Sequence, residues 1–161
     1  MLDEQDQQID LYNRLIAHSL ISAKYAVYYG EGRDSYDEYG RVAHESIFNT
    51  NSGQYRCPNA QQGFSGFSTW TRGLAWAILG FAELLEFIRD HPHEIIQVDQ
   101  IKAEFLKAAL ATGDFYIDNS SLDGIPYWNT GAPNLHKLGN YQNFTADRLT
   151  NMNRLIAQQL Q

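Results

Sequence analysis

The feature that most constrains this chain is a long apolar-periodic segment that follows a polar, glycine-containing loop. The loop covers residues 61–69, and the segment continues to about Asp90. We expect Ser65 or Ser68 to cap a helix here, because a serine hydroxyl accepts hydrogen bonds from the free N–H groups of a first turn. Pro92 predicts its end, since proline cannot continue the helical ladder. One face of the helix has the spacing of a core stripe, formed by Leu74, Ile78, Phe81, Leu85 and Ile88.

Two side chains on the opposite face of the same helix are not needed to build a core. Arg72 and Trp76 lie one turn apart near its N-terminus, and Gly73 leaves bare backbone beside them. An indole that packs on a sugar ring and a guanidinium that takes a carboxylate in bidentate fashion would together suit a sugar acid. The alternative is structural: Trp76 packs against a second helical layer and Arg72 pairs with an acidic residue. The pattern leaves both interpretations open.

The rest of the chain also has helical spacing, with short irregular connections. Helices are predicted over about residues 8–29, 38–48, 98–111 and 146–160, the first of them capped by Asp3 or Asp6. Residues 54–58 are expected to form a brief extended piece, and residues 113–145 a long irregular segment rich in aromatic residues. No strand pattern is convincing, so the predicted fold class is all-α.

Composition excludes several classes of function. The 161 residues carry a net charge of −7 and no basic run, which argues against nucleic acid or an anionic membrane as partner. No apolar run approaches the length of a membrane span, and the N-terminus lacks the apolar region of a signal peptide, so we expect a cytoplasmic protein. The single cysteine, Cys57, and the scattered histidines do not predict a metal site.

Two separated motifs resemble those of a known family. Gln62, Gly63, Trp70, Arg72 and Trp76 belong to the first; the second runs over residues 123–133 and contains Trp128 followed by Asn129, a position where the family commonly has Asp. The chain resembles the unsaturated glucuronyl hydrolases, glycoside hydrolase family 88, and the related unsaturated rhamnogalacturonyl hydrolases. The resemblance is firm over about residues 40–135.

The resemblance implies an (α/α)₆ toroid and a glycosidase that needs no metal or cofactor. An aspartate of the family adds water across the C4–C5 double bond of a terminal unsaturated uronic acid, and the product collapses to release the next sugar. The implied partner is therefore an oligosaccharide with an unsaturated uronic acid. The motifs place substrate-binding side chains at Gln61, Gln62, Trp70, Arg72, Trp76 and Trp128.

The resemblance is less complete for the catalytic groups. His44 matches a family site residue by its separation from Arg72, although it could instead correspond to a histidine of the preceding outer helix, and Gln61 replaces a histidine that the family usually has. Asn13 falls at the best-fitting position for the catalytic aspartate, and Asp10 lies one turn earlier. An amide cannot shuttle a proton, so Asp10 is the predicted acid unless an upstream residue supplies it.

Too few helices are predicted for a complete toroid. Residues 1–161 are therefore expected to form a single incomplete domain, the C-terminal portion of the hydrolase domain, with an exposed apolar seam that favours a homo-oligomer. The alternative function is a non-catalytic helical remnant or scaffold with a sugar-binding cleft that lacks the general acid.

Overall fold

Three α-helices and one β-hairpin make up the part of the chain that the structure describes. A computed structural model describes residues 6–91, 97–120 and 125–131. Its elements are α1 (Leu11–Tyr25), β1 (Glu45–Phe48), β2 (Tyr55–Asn59), α2 (Thr71–Asp90) and α3 (Val98–Asp118), with a single 3₁₀ turn at Gly32–Asp34. The helix predicted over residues 146–160 lies outside the described residues.

Helix α1 is shorter than predicted at both ends. Its N-cap is Asp10 rather than Asp3 or Asp6, because the Asp10 carboxylate accepts from the backbone N–H groups of Tyr12 and Asn13, each at 3.0 Å. The helix ends at Tyr25, and Val27 then forms an antiparallel bridge with Val42. This bridge directs the chain away from the helix axis before residue 29, where the helix was predicted to end.

The helix predicted over residues 38–48 is absent, and a β-hairpin takes part of its place. Strands β1 and β2 pair antiparallel, with Ser46 opposite Pro58 and an irregularity after Ile47. The turn between them is closed by the Asn49 side chain, whose oxygen accepts from the Asn51 N–H at 2.9 Å. The extended piece predicted over residues 54–58 is thus confirmed as β2, while the all-α class is corrected to a mainly helical fold with a small antiparallel sheet.

Helix α2 has the predicted extent but a different start. Trp70 is its N-cap residue, in an extended conformation and without a side-chain cap bond. Ser65 and Ser68 instead form hydrogen bonds inside the preceding loop. The predicted core stripe is confirmed, since its members are buried or packed against the core: Leu74, Ile78, Phe81, Leu85 and Ile88.

Helix α3 continues seven residues beyond its predicted end, through a segment that the sequence marks as irregular. Gly113 lies inside it, and burial of Phe115 at 3% exposure extends the packed face. Phe105 contacts Phe81 of α2 with ring centroids 5.9 Å apart. Packing of α3 against α2 therefore overrides the local signal of the glycine.

The direction of the helices decides where the loops meet. The Tyr12 hydroxyl donates to the His91 carbonyl at 2.8 Å, which places the start of α1 beside the end of α2. The segment after α1 reaches Val42, which exchanges hydrogen bonds of 3.1 Å with the Thr69 hydroxyl just before α2. Helix α1 is therefore antiparallel to α2, and the end of α1, the hairpin and the start of α2 lie together.

Candidate functional site

Trp70 is the buried residue around which the candidate site is built. Its side chain is 3% exposed, and its backbone forms an antiparallel bridge with Asn129. The indole contacts the His44 ring at a centroid distance of 4.6 Å and the Trp76 ring, edge-on, at 5.5 Å. The substrate-binding role predicted for Trp70 stays a prediction; in the structure its buried indole supports the His44 and Trp76 rings.

Arg72 lies beside two indoles that also contact each other. Its guanidinium carbon is 4.6 Å from the Trp70 ring and 5.8 Å from the Trp76 ring. Both rings present their electron-rich π systems to the cation, and the first turn of α2 adds the positive end of a helix dipole. Trp76 is 61% exposed. The arrangement combines an anion-binding group with an accessible flat ring.

The bare backbone of Gly73 makes room for an indole. A Cβ at this position would lie 2.9 Å from Cε3 of the Trp70 indole. Glycine therefore allows the indole to lie against the first turn of α2. Any larger residue would displace Trp70 and, with it, the support of Arg72.

His44 holds the turn that carries the two candidate glutamines. Its Nδ1 accepts from the backbone N–H groups of Gln61 at 3.1 Å and Gln62 at 3.4 Å. Both glutamine side chains are exposed. The structure thus brings His44, Gln61 and Gln62 to the same indole that supports Arg72.

Trp128 is held at the site by hydrogen bonds from Thr71, the first residue of α2. The Trp128 carbonyl accepts from the Thr71 N–H at 3.1 Å and from its hydroxyl at 3.0 Å, and the hydroxyl also contacts the Tyr127 carbonyl. Two further bonds of 3.0 Å join Thr69 and Thr130. The segment at 127–130 is therefore attached to the start of α2 despite its distance in sequence.

A cavity of about 560 Å³ opens between α2 and this segment. Most of its wall is apolar or aromatic, and Arg72 is its charged member; the lining residues are Trp70, Thr71, Arg72, Ala75, Ile78, Leu79, Ala82, Tyr116, Pro126 and Trp128. The indole Nε1 of Trp128 is buried and has no hydrogen-bond partner among the described residues. A mostly apolar cavity with a few polar groups is typical of a small-molecule site.

The buried Arg41 side chain holds the loop that leads into α2. Its guanidinium pairs with Asp37 through two hydrogen bonds, one of them 2.6 Å long, and donates to the Gly66 carbonyl at 3.1 Å. Burial opposes the charge on Arg41, but the hydrogen bonds and charge of Asp37 outweigh this effect and raise the pKa of Arg41. The arginine therefore stays charged and belongs to the scaffold.

Asp10 and Asn13 are not part of this cluster. Both lie at the start of α1, beside the C-terminal end of α2, whereas Arg72 is in its first turn. The 20 residues of α2 separate the two ends by about 30 Å. The Asp10 carboxylate is occupied as an N-cap and also accepts from the Asn13 side chain at 2.6 Å. The geometry thus does not support Asp10 or Asn13 as the acid of a site built on Arg72.

Sequence reasoning missed the structural roles of three residues: Thr69, Thr71 and Asn129. Thr69 and Asn129 are 0% exposed, and the Asn129 side chain accepts from the Gly131 N–H at 2.9 Å. The available signal was a threonine on each side of Trp70, since hydroxyls next to a helix start commonly bind backbone groups. Nothing local indicated that their partners would be residues 127–130.

The described residues hold no cluster of three or more His, Cys, Asp or Glu side chains that could bind a metal ion. None of the described helices combines the length and apolar character that crossing a membrane requires.

The structure thus combines a mainly helical scaffold with an arginine beside two indoles and an adjoining aromatic cavity. No family model matches the chain. Two curated relatives are both named unsaturated glucuronyl hydrolase. The protein from Formosa agariphila is 32% identical over 96 residues, covering 58% of this chain and 21% of its own length. The protein from Bacillus sp. (strain GL1) is 29% identical over 145 residues, covering 89% of this chain and 32% of its own length.

Solved structures agree with the sequence matches. The crystal structure of unsaturated glucuronyl hydrolase from Bacillus sp. GL1, responsible for the degradation of glycosaminoglycan, superposes with a TM-score of 0.53 at 28% identity. A UGL variant with dGlcA-Glc-Rha-Glc gives the same values. Each match covers 73% of this chain and 26% of the other. The resemblance to unsaturated glucuronyl hydrolases is confirmed in sequence and in fold, and the chain spans only about a fifth to a third of the curated relatives.

Proposed function

We propose that this chain forms part of an (α/α)₆ glycoside hydrolase that acts on terminal unsaturated uronic acids of polysaccharide-derived oligosaccharides. The similarity to unsaturated glucuronyl hydrolases supports the class of reaction. One observation carries the assignment to these residues: the Arg72 guanidinium lies 4.6 Å from the ring centre of Trp70 and 5.8 Å from that of Trp76, and Trp76 is mostly exposed.

In this proposal each exposed group of the site has a defined role in binding. Arg72 takes the uronate carboxylate, and Trp76 packs on the flat, unsaturated ring. His44 donates a hydrogen bond, and Gln62 donates or accepts one, at ring oxygens or at the attacking water. The buried Trp128 Nε1 supplies a further donor at the cavity wall.

The proposed reaction adds water across the C4–C5 double bond. A carboxylic acid gives a proton to C4, the oxygen of a water molecule bonds to C5, and the carboxylate left behind takes the proton that this water releases. The resulting hemiketal opens, the bond to the next sugar breaks, and that sugar leaves with a proton on its oxygen. Because Asp10 lies at the far end of α2, we assign the acid to a carboxyl group elsewhere in the whole protein.

Binding is tested first, since it depends on residues that the structure describes. An unsaturated glucuronyl disaccharide is titrated into the protein by calorimetry, with the saturated disaccharide as comparison. Arg72→Gln removes the proposed carboxylate partner, and Arg14→Gln removes the same charge from α1, beside the opposite end of α2. A charged hydrogen bond contributes about 1.5–3 kcal/mol, so Arg72→Gln should weaken binding roughly 10- to 150-fold. Equal affinity of the two variants would contradict the site.

A second candidate is favoured by the position of Asp10: a non-catalytic domain that binds unsaturated uronides without turning them over. Hydration destroys the conjugated double bond, so loss of its ultraviolet absorbance reports turnover. Binding together with loss of absorbance supports the hydrolase, and binding without it supports the non-catalytic domain. Absence of binding by the wild-type chain counts against both.

A further inference from the structure

His44 forms its side-chain hydrogen bonds to the described residues through one ring nitrogen. Two backbone N–H groups, those of Gln61 and Gln62, point at Nδ1 from 3.1 and 3.4 Å. The other ring nitrogen, Nε2, donates to no described residue and is not among the buried unpartnered atoms. The ring itself lies against the Trp70 indole, tilted by 59°.

Two N–H groups directed at one nitrogen determine which tautomer is present. An N–H donates to a lone pair, so Nδ1 cannot carry a hydrogen while it accepts from the turn. The neutral ring then holds its proton on Nε2. Turning the ring over would place a carbon-bound hydrogen against both N–H groups and leave those donors without an acceptor.

We propose that His44 is a positioning residue, held as the Nε2–H tautomer, that orders the Gln61–Gln62 turn through Nδ1 and presents Nε2–H as a donor to an oxygen of the bound sugar. The second half rests on the proposed function; the first does not. In this role Nδ1 is not a general base, because its lone pair is occupied by the turn. The Gln62 side chain is placed by a histidine rather than by its own loop alone.

Substitutions at position 44 separate the two halves of the proposal. In His44→Asn the amide oxygen can stand where Nδ1 stands, which keeps the acceptor and removes the donor at Nε2. In His44→Phe the ring against Trp70 is kept and both nitrogens are lost. His18→Asn, at an exposed position on α1, is the matched control.

The tautomer is measured by nitrogen NMR on ¹⁵N-labelled, ligand-free protein at a pH where the imidazole is neutral. We expect an unprotonated Nδ1, a protonated Nε2, and Gln61 and Gln62 amide signals that move in His44→Phe but stay near their places in His44→Asn. A protonated Nδ1, or glutamine amide signals that ignore His44→Phe, would overturn the positioning role. This measurement does not depend on any substrate.

The donor role is measured by titrating the unsaturated glucuronyl disaccharide into the same variants. Loss of one neutral hydrogen bond should weaken the binding of His44→Asn about two- to tenfold. Wild-type affinity in His44→Asn would overturn the donor role. If the wild-type protein itself binds no disaccharide, both the proposed function and the donor role fail, while the NMR result still decides the positioning role.

Discussion

Replacing Gly40 by alanine should strongly destabilise the fold, because this residue lies where the loop before β1 touches α3. Gly40 has a φ of +80°, and its N–H donates to the Tyr28 carbonyl at 2.8 Å. A Cβ here would lie 1.9 Å from the Ala111 carbonyl oxygen and 2.7 Å from Cβ of Phe115. Backbone of a helix cannot give way as a flexible side chain can, so α3 or the loop must move.

The cost has two parts. A left-handed conformation costs a non-glycine residue about 1–2 kcal/mol, and overpacking a buried contact adds about 1–3 kcal/mol. Stiffening of the unfolded chain by alanine returns about 0.4–1 kcal/mol. The free energy of unfolding should therefore fall by about 1–5 kcal/mol, which for a chain of this size lowers Tm by roughly 2–20 °C.

Denaturant unfolding followed by tryptophan fluorescence measures this change. Gly53→Ala is the matched control, because Gly53 has a φ of +67° but nothing within 4 Å of its added Cβ. The control carries the left-handed cost without the clash and should lose only about 1 kcal/mol. If Gly40→Ala is no more destabilising than Gly53→Ala, the close approach of the loop to α3 is wrong.

Three further predictions concern the site, the buried tyrosine and the exposed helix faces. Thr71→Val should lower the free energy of unfolding by about 1–3 kcal/mol and change the fluorescence of Trp128, whereas Thr71→Ser keeps the hydroxyl and should lose less. Equal melting temperatures of the two variants would contradict the hydrogen bond between the Thr71 hydroxyl and the Trp128 carbonyl. Burial raises the pKa of Tyr28 above its ordinary value of 10.0. The free energy of unfolding should thus keep its full value below pH 10 and fall as the pH rises above it. Urea unfolding repeated at rising pH should show a smaller fall in Tyr28→Phe, and an equal fall in both proteins would contradict this. Leu106 and Leu110 are 48% and 55% exposed, so sedimentation should show self-association that glutamate at both positions reduces, and a monodisperse wild-type monomer would refute it.

The sequence by itself determined the helical framework and the family resemblance. Apolar spacing predicted α1, α2 and the first part of α3, because a helix brings residues three and four apart onto one face without help from distant segments. The same spacing set Arg72 and Trp76 apart from the core stripe, and Trp76 is indeed exposed. Local patterns were sufficient wherever the interacting residues are close in sequence.

Tertiary structure decided the features that depend on distant partners. Residues Glu45–Phe48 form a strand because Tyr55–Asn59 pair with them. Helix α3 continues past Gly113 because Phe115 packs in the core. Asp10 resembled a candidate acid in sequence, yet it caps α1 at the far end of α2 from Arg72. The helix direction that separates them is set by packing between helices and has no local signal.

The site shows the same division between local and distant information. Sequence identified Arg72, Trp76 and His44, but it could not show that Trp70 is their buried support or that Thr71 attaches Trp128 to the start of α2. Those contacts join residues that are far apart in the chain, and their geometry exists only once the core has formed. Spacing within one helix is fixed by the backbone, whereas the meeting of a loop with a helix start is fixed by the whole fold.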